Sequence, residues 1–314
     1  MSELHTFIFD GMPVRGRLVR LTGAWQEVLQ RRKNAPWATP VRHLLGEMAA
    51  AATLMQSSIQ FNGALVLQLV GDGNLKLAVA EVQPDLAFRV TATVVGEVSE
   101  DADFAAVANP GGKGRCAITL DARDRLPGQA PYQGVVPLHG DQGEPLTRLS
   151  DVLSHYMLQS EQLDTTLVLA ANDQMAAGLL IQRMPTEGEG NLARREDDIG
   201  LNEDYNRISQ LAATLRPEEL LGLDAETVLR RLFWEEPVRR FEPVHPRFEC
   251  RCSRERVSQM LRSLGADEVH SILEEQGRID VACEFCGLGY GFDAVDAEAL
   301  FSTVPPLPGS GAVH

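Results

Sequence analysis

Four of the five cysteines in this 314-residue chain fall within 37 consecutive positions, as Cys250-x-Cys252, thirty intervening residues, and then Cys283-x-x-Cys286. Free thiols are stable in a reducing compartment, so a cluster this tight there points to metal binding or redox chemistry rather than a permanent disulfide scaffold. Four sulfurs in two close pairs meet the tetrahedral demand of zinc, which prefers soft thiolates and imposes no d-electron geometry. An iron–sulfur cluster is disfavoured because the usual multi-cysteine run is missing. Free or permanently bridged cysteines are the remaining alternative. One Cys-x-x-Cys alone could serve a thioredoxin-like active site, but no βαβ context surrounds this one.

The span 249–302 is too short for a robust independent core, and units of that size commonly add a metal or disulfides. The expected cofactor is therefore one Zn2+ per chain in the reduced form, held by Cys250, Cys252, Cys283 and Cys286. Coordination keeps sulfur as thiolate at neutral pH, which preserves nucleophilic character toward peroxide or hypochlorite while partly masking it. Once one sulfur becomes a sulfenic acid, a neighbouring thiol can resolve it as a disulfide, which ejects the metal and removes its folding energy. His245 and His270 are the alternative ligands nearby, and both read as ordinary surface or core imidazoles. Between the cysteine pairs, SRERVSQMLRSL is expected as a helix with Val257, Met260, Leu261 and Leu264 inward, followed by a second helix, ADEVHSILEEQ. A strand, the Cys-x-x-Cys turn and a return strand through Tyr290 and Phe292 complete the unit.

Upstream, apolar residues at 44% and charged residues at 23% exclude bulk disorder. Residues from Leu4 to about Ala171 read as one layered α/β or α+β body. VRGRLVRL (14–21) alternates as a strand, and VRHLLGEMAAAATLMQSSI (41–59) is long, rich in Ala, Leu and Met, and free of Pro, as a packed helix should be. GALVLQLV and NLKLAVAEV flank Gly71, Asp72 and Gly73, a hairpin signal. Further strands are expected at 86–98, 115–122 and 132–138, then a helix capped by Ser150 and running through Gln162, then a buried strand at 163–171. Cys116 reads as a small buried hydrophobe in RCAITL.

Composition shifts after the apolar segment MAAGLLIQRM (175–184). TEGEGNLARREDDIG (186–200) is too charged to bury itself and is expected to be a mobile loop. Three short amphipathic helices follow, at 205–215, 217–223 and 225–236, interrupted by Pro217, Gly222 and Pro237. Val228, Leu229, Leu232 and Phe233 recur at helical spacing with Trp234 beside them, so this region must dock on another apolar surface to be stable in water.

Two further motifs have bland readings. Tyr156, Gln159, Ser160, Glu161 and Gln162 make a polar helix end, and no nucleophile, base and orienting group can be assembled around them, so no catalytic residue is expected. Gly111-Gly112-Lys113-Gly114 lacks the Ser or Thr that follows the lysine of a phosphate loop and reads as a tight turn. The opening MSELHTFIFDG has no basic segment leading into a long apolar run, and no stretch of about 18 apolar residues occurs, which suggests a cytoplasmic, non-membrane protein. A net charge of -15 and a pI near 4.9 argue against nucleic acid and anionic lipid as partners.

With these residues in place, the chain resembles the bacterial 33 kDa redox-regulated heat-shock chaperonins, the HslO family. The resemblance rests on RGRLVRL (15–21), NPGGKGRCAITL (109–120), PYQGVVPL (131–138), Y-x-x-Q-S-E-Q (156–162) and the four cysteines. It implies a non-enzymatic, ATP-independent holdase, inactive when reduced and zinc-bound. It implies disulfides Cys250–Cys252 and Cys283–Cys286 on oxidation, unfolding of the zinc module, release of a metastable linker at about 180–248, dimerisation, and capture of unfolding client proteins. Leu229, Leu232, Phe233 and Trp234 would cover apolar surface when docked and expose it when released. Cys116 and the charged insert GEGNLARREDD are departures; the first adds a thiol open to misoxidation, and the second blurs the linker boundary. The resulting division is an N-terminal chaperone domain over 1–179, an amphipathic helical linker over 180–248, a small α+β zinc-binding switch over 249–302 and a frayed tail over 303–314. Two other classes compete: a structural zinc module that binds a partner or nucleic acid, and a thiol–disulfide oxidoreductase, which would turn over its substrate where a holdase protects in proportion to its own concentration.

Overall fold

A computed structural model of the chain describes residues 1–126, 128–184 and 202–301. The expected loop at 186–200 and the tail at 303–314 lie outside the described residues. The chain divides after Glu249 into two units.

The first unit opens with β1 (Glu3–Phe9), β2 (Val14–Leu21), α1 (Gly23–Arg31) and the long α2 (Thr39–Ser58). It continues through β3 (Gly63–Val70), β4 (Leu75–Val82), β5 (Ala87–Val94), α3 (Phe104–Ala108), β6 (Arg115–Ala122) and β7 (Tyr132–Pro137). Next come α4 (Leu149–Glu161), β8 (Thr165–Ala171) and β9 (Ala176–Arg183), and then α5 (Glu203–Ala213), α6 (Pro217–Gly222), α7 (Ala225–Phe233), β10 (Val238–Arg240) and β11 (Arg247–Phe248). Two sheets form, in the orders β10-β1-β2-β9-β8 and β11-β5-β4-β3-β6-β7, antiparallel throughout except for the β11–β5 pair.

The Ala, Leu and Met run expected as a packed helix is α2, and it contacts strands of both sheets. Leu45, Met48, Ala50, Ala51 and Leu54 are all fully buried, so the helix is a layer between the sheets rather than a one-faced surface helix. Its small residues permit that approach: a Cβ on Gly46 would sit 2.5 Å from that of Ala171.

MAAGLLIQRM, which the sequence marks only as an apolar segment beyond the body expected to end at about Ala171, supplies β9, which pairs with β2 on one side and β8 on the other. Its near-continuous apolar run follows from burial on both faces, which removes the alternation that normally marks a strand. Ala177, Leu179 and Ile181 face α5–α7, while Gly178 lies against Leu54 of α2. The expected linker start at residue 180 therefore falls inside this strand.

Helices α5, α6 and α7 occupy the three segments expected to be amphipathic. Ile208, Ala212, Leu220, Val228, Leu229, Leu232 and Phe233 join Phe7, Phe9, Val14, Leu18 and Ile181 in one apolar cluster on the outer face of the five-stranded sheet. Phe233 meets Phe9 edge-on at 5.0 Å between ring centroids. Trp234 departs from expectation: it is 74% exposed, because as the C-cap of α7 it points roughly 100° away from Phe233 around the helix axis. The body also holds this region by polar contacts, since the Arg20 guanidinium donates to the carbonyls of Leu220 and Leu223 at the end of α6.

Other departures concern short elements. The helix α1 and the strands β10 and β11 carry no distinctive periodicity and were not expected. Arg148 rather than Ser150 is the N-cap of α4.

The second unit contains α8 (Arg254–Leu264), α9 (Ala266–Gln276), β12 (Ile279–Ala282), β13 (Gly289–Phe292) and α10 (Ala294–Phe301); the return strand expected through Tyr290 and Phe292 is β13, and the helix that follows it is not among the expected elements. Its buried apolar core comprises Leu261, Val269, Ile279, Phe292 and Ala297, with Val257 and Tyr290 among the partly buried neighbours. Met260 and Leu264, expected inward, are 41% and 49% exposed. A core of this size cannot cover every apolar position of a short helix.

Candidate metal centre

The two cysteine pairs arrive on different local structures. Cys283 and Cys286 lie in the connection between β12 and β13, whose register pairs Ala282 with Gly289. Cys283 N–H donates to the Leu288 carbonyl at 2.9 Å, and Gly287 N–H donates to the Cys283 carbonyl at 2.7 Å. Gly287 has φ of 72°, a left-handed conformation that a side chain would strain, so the tight turn presenting both sulfurs depends on it. Cys250 and Cys252 precede α8, whose N-cap Ser253 accepts from Arg256 N–H at 3.2 Å. Arg254 anchors that helix start: its guanidinium lies 4.2 Å from the Phe292 ring centroid, donates to the Gly291 carbonyl at 2.8 Å and pairs with Asp296 at 2.8 Å.

These anchors bring all four sulfurs within 4.8 Å of one another. Cys250 and Cys283 are 3.6 Å apart, and Cys252 and Cys286 are 3.4 Å apart. Zinc–sulfur bonds of ~2.3 Å in a tetrahedron require sulfur separations of about 3.8 Å. The donor set therefore fits a tetrahedral thiophilic ion. The separations are too long for disulfides, whose bond is about 2.05 Å, and all five cysteines are free thiols.

The sulfurs are not equivalent. Burial alone would raise the Cys252 thiol, but hydrogen bonds from the Tyr290 hydroxyl and from neighbouring cysteines hold it below the ordinary value. Cys286, 3% exposed, is pushed far up, chiefly by burial, and Cys250 is raised for the same reason. The N-terminus of α8 favours negative charge beside Cys252. Tyr290 and Arg254 are the supporting residues that sequence reasoning missed. A period-two pattern marks Tyr290 as a strand residue but does not say which partner its hydroxyl finds.

The other candidates lie elsewhere. The His245 ring N–H at Nδ1 donates to the Ser2 carbonyl at 3.0 Å, and His270 is exposed on α9. Cys116 is fully buried in β6, and burial pushes its thiol up to about 12. The polar end of α4 is a clasp: Tyr132 and Tyr156 hydroxyls each donate to Glu161 Oε1 at 3.0 Å. In the glycine turn, Gly111 and Lys113 N–H donate to the Asp72 carboxylate at 3.1 and 2.7 Å, so the chain's own side chain fills the cradle a phosphate would need. Among the described residues no helix is long and apolar enough to cross a membrane.

A layered α+β body and a small unit that gathers four thiols within reach of one metal ion define a two-unit protein with a thiol-centred, metal-capable site. The model of the Hsp33 protein family matches residues 2–293. The 33 kDa chaperonin of Chromobacterium violaceum is 46% identical over 300 residues, covering 96% of this chain and 94% of that protein. That of Methylobacillus flagellatus is 42% identical over 314 residues, covering 100% and 99%. The crystal structure of the Thermotoga maritima 33 kDa chaperonin superimposes with a TM-score of 0.74 at 20% identity, covering 96% of this chain and 98% of that one, so the fold is shared. The chain belongs to the Hsp33 family, the 33 kDa redox-regulated chaperonins, which are holdases and not enzymes.

Proposed function

We propose that this chain is an ATP-independent holdase that is inactive when its four cysteines are reduced and bind one zinc ion, and active after they are oxidised. The observation that carries this reading is the convergence of Cys250, Cys252, Cys283 and Cys286 within 4.8 Å in a unit whose apolar cluster holds, among the described residues, five buried side chains. Bound zinc would supply folding energy that so small a core lacks.

Peroxide oxidises one thiolate to a sulfenic acid and leaves as hydroxide. A second thiolate attacks that sulfur, a disulfide forms, and a second hydroxide departs; with two protons taken up, the products are one disulfide and two waters. The proposed pairing, by family resemblance, is Cys250 with Cys252 and Cys283 with Cys286. Two such events convert all four ligands and remove the support of the module. The stretch 203–240, helices α5–α7 with β10, then detaches from the five-stranded sheet, exposing both its own Val228, Leu229, Leu232 and Phe233 and the sheet face they cover. That surface holds unfolding clients in the cytoplasm, with the oxidised chain acting as a homodimer.

The test uses one oxidised sample for three readings: zinc released per chain, disulfides mapped by mass spectrometry, and suppression of client aggregation. One zinc, two disulfides within the motifs and new suppression are expected. Identical suppression by reduced and oxidised protein refutes the switch, and a chain that catalytically turns over a disulfide substrate is an oxidoreductase instead.

A further inference from the structure

The strand β10 seals an edge of the five-stranded sheet, and its sequence describes what that edge accepts. It runs antiparallel to β1, with Phe7 opposite Arg240, Ile8 opposite Arg239 and Phe9 opposite Val238. Phe241 N–H donates to the Thr6 carbonyl at 2.9 Å, and Asp10 N–H donates to the Pro237 carbonyl at 2.9 Å. Leu4 and Val244 exchange two further bonds, at 2.8 and 3.0 Å. By the alternation of an antiparallel ladder, Thr6, Ile8 and Asp10 turn their backbone groups toward β10, while Phe7 and Phe9 turn theirs toward β2. With β10 absent, β1 is an unpaired edge along Leu4–Asp10, a template for any extended chain.

The covering strand is short, and Arg239, Arg240 and Phe241 are exposed, so few buried contacts retain it. Its side chains are apolar and basic: Val238 packs against the cluster beneath α7, Arg239 pairs with Asp10 at 2.6 Å, and Arg240 lies 3.9 Å from Glu226. The edge is thus flanked by carboxylates in a chain of net charge -15.

We infer that β10 is a placeholder for client: when the linker detaches, an extended client segment mixing apolar and basic residues adds to β1 by backbone pairing in the register β10 vacates. This inference rests on the holdase reading and deepens it. Strand addition takes main-chain hydrogen bonds from any sequence, and alternate side chains supply a bias. An apolar face alone would have no requirement for client amides.

The probe is a fluorescent peptide with the sequence of residues 237–244, PVRRFEPV, and its control carries N-methyl groups at Arg239 and Phe241, the amides facing β1. Anisotropy titrations against the full chain should show saturable binding to the oxidised form and none to the reduced form. The methylated peptide should bind about tenfold more weakly or worse, for the loss of two backbone hydrogen bonds. The variant Arg239→Pro with Phe241→Pro, which removes the same two donors from the linker, should bind the unmethylated peptide while still reduced. Equal binding of the two peptides overturns the inference, as does equal binding to reduced and oxidised chain, or no binding to either the oxidised chain or the proline variant. Aggregation suppression on the same oxidised sample separates the two claims. Suppression without peptide binding refutes strand addition alone, and selective peptide binding without suppression refutes the holdase reading alone.

Discussion

Phe248 meets Phe88 edge-on, with ring centroids 6.4 Å apart at 76°, in the parallel pairing of β11 with β5. Phe248 is buried, and Glu249 N–H donates to the Phe88 carbonyl at 3.0 Å, so the ordered hold on this stretch ends one residue before Cys250. A strand of two residues thus ends two positions before the first of the four clustered cysteines, Cys250. Phe248→Ala should remove up to about 3–5 kcal/mol of local packing. Hydrogen exchange should then rise over residues 238–249 in the reduced protein while the metal content stays that of the parent chain. Unchanged protection would show that β11 does not retain the linker.

Phe233 and Trp234 are neighbours in sequence with opposite fates, 2% and 74% exposed. Phe233→Asp places a charge in the cluster with Phe7 and Phe9 and should cost several kcal/mol by the cavity and buried-charge terms, of which truncation alone is about 3–5. Limited proteolysis of the reduced chain should open at α7, with aggregation suppression at lower oxidant. Trp234→Asp should stay within about 0.5 kcal/mol of the parent. Equal effects of the two substitutions would contradict the docking geometry.

Glu47 on α2 lines a cavity of about 550 Å³ together with Arg148, Ser150, Thr165 and Leu215. Burial raises its carboxyl from 4.5 to about 7, against the opposing charge of Arg148. A carboxyl raised on folding stabilises the folded state below the unfolded value and loses that contribution as pH climbs from about 4.5 through 7. At about 1.4 kcal/mol per unit, the loss is of order 3 kcal/mol. Glu47→Gln should flatten this part of the stability profile and stabilise the body most above pH 7, as read from urea midpoints across the range.

The five thiols should separate by reactivity. Cys116 is fully buried with its thiol pushed up to about 12, so after chelation of the metal the native chain should alkylate at Cys250, Cys252, Cys283 and Cys286 while Cys116 stays unmodified near neutral pH. This environment also argues against the misoxidation that an extra cysteine suggested. Cys283→Ser should weaken zinc binding beyond the roughly 10–100-fold typical of losing an outer-shell partner. Retained tight, stoichiometric zinc would mean that another residue completes the site.

The four thiols of the candidate metal site are legible in the sequence because their information is local. Cysteine is rare, its chemistry is specific, and the spacings Cys-x-Cys and Cys-x-x-Cys name the four sulfurs without reference to the fold. The helices α5, α6 and α7 were legible for a similar reason, since a 3.6-residue period and flanking Pro or Gly mark each one. What surrounds the sulfurs was not: the Tyr290 hydroxyl reaching Cys252 and the Arg254 anchor depend on where a hairpin and two helix starts converge.

The amino-acid sequence by itself determined which atoms can hold a metal and which segments must bury an apolar face, because residue chemistry and helical or strand period are properties of neighbours along the chain. Only the tertiary structure decided that MAAGLLIQRM is a central strand, since burial on both faces erases the alternation that would announce it. Only the tertiary structure decided that Phe233 is covered and Trp234 is not, and that VRR and RF close the edges of two sheets. Strands of three and two residues carry almost no pattern of their own, and their conformation comes from the partners β1 and β5 that happen to need them.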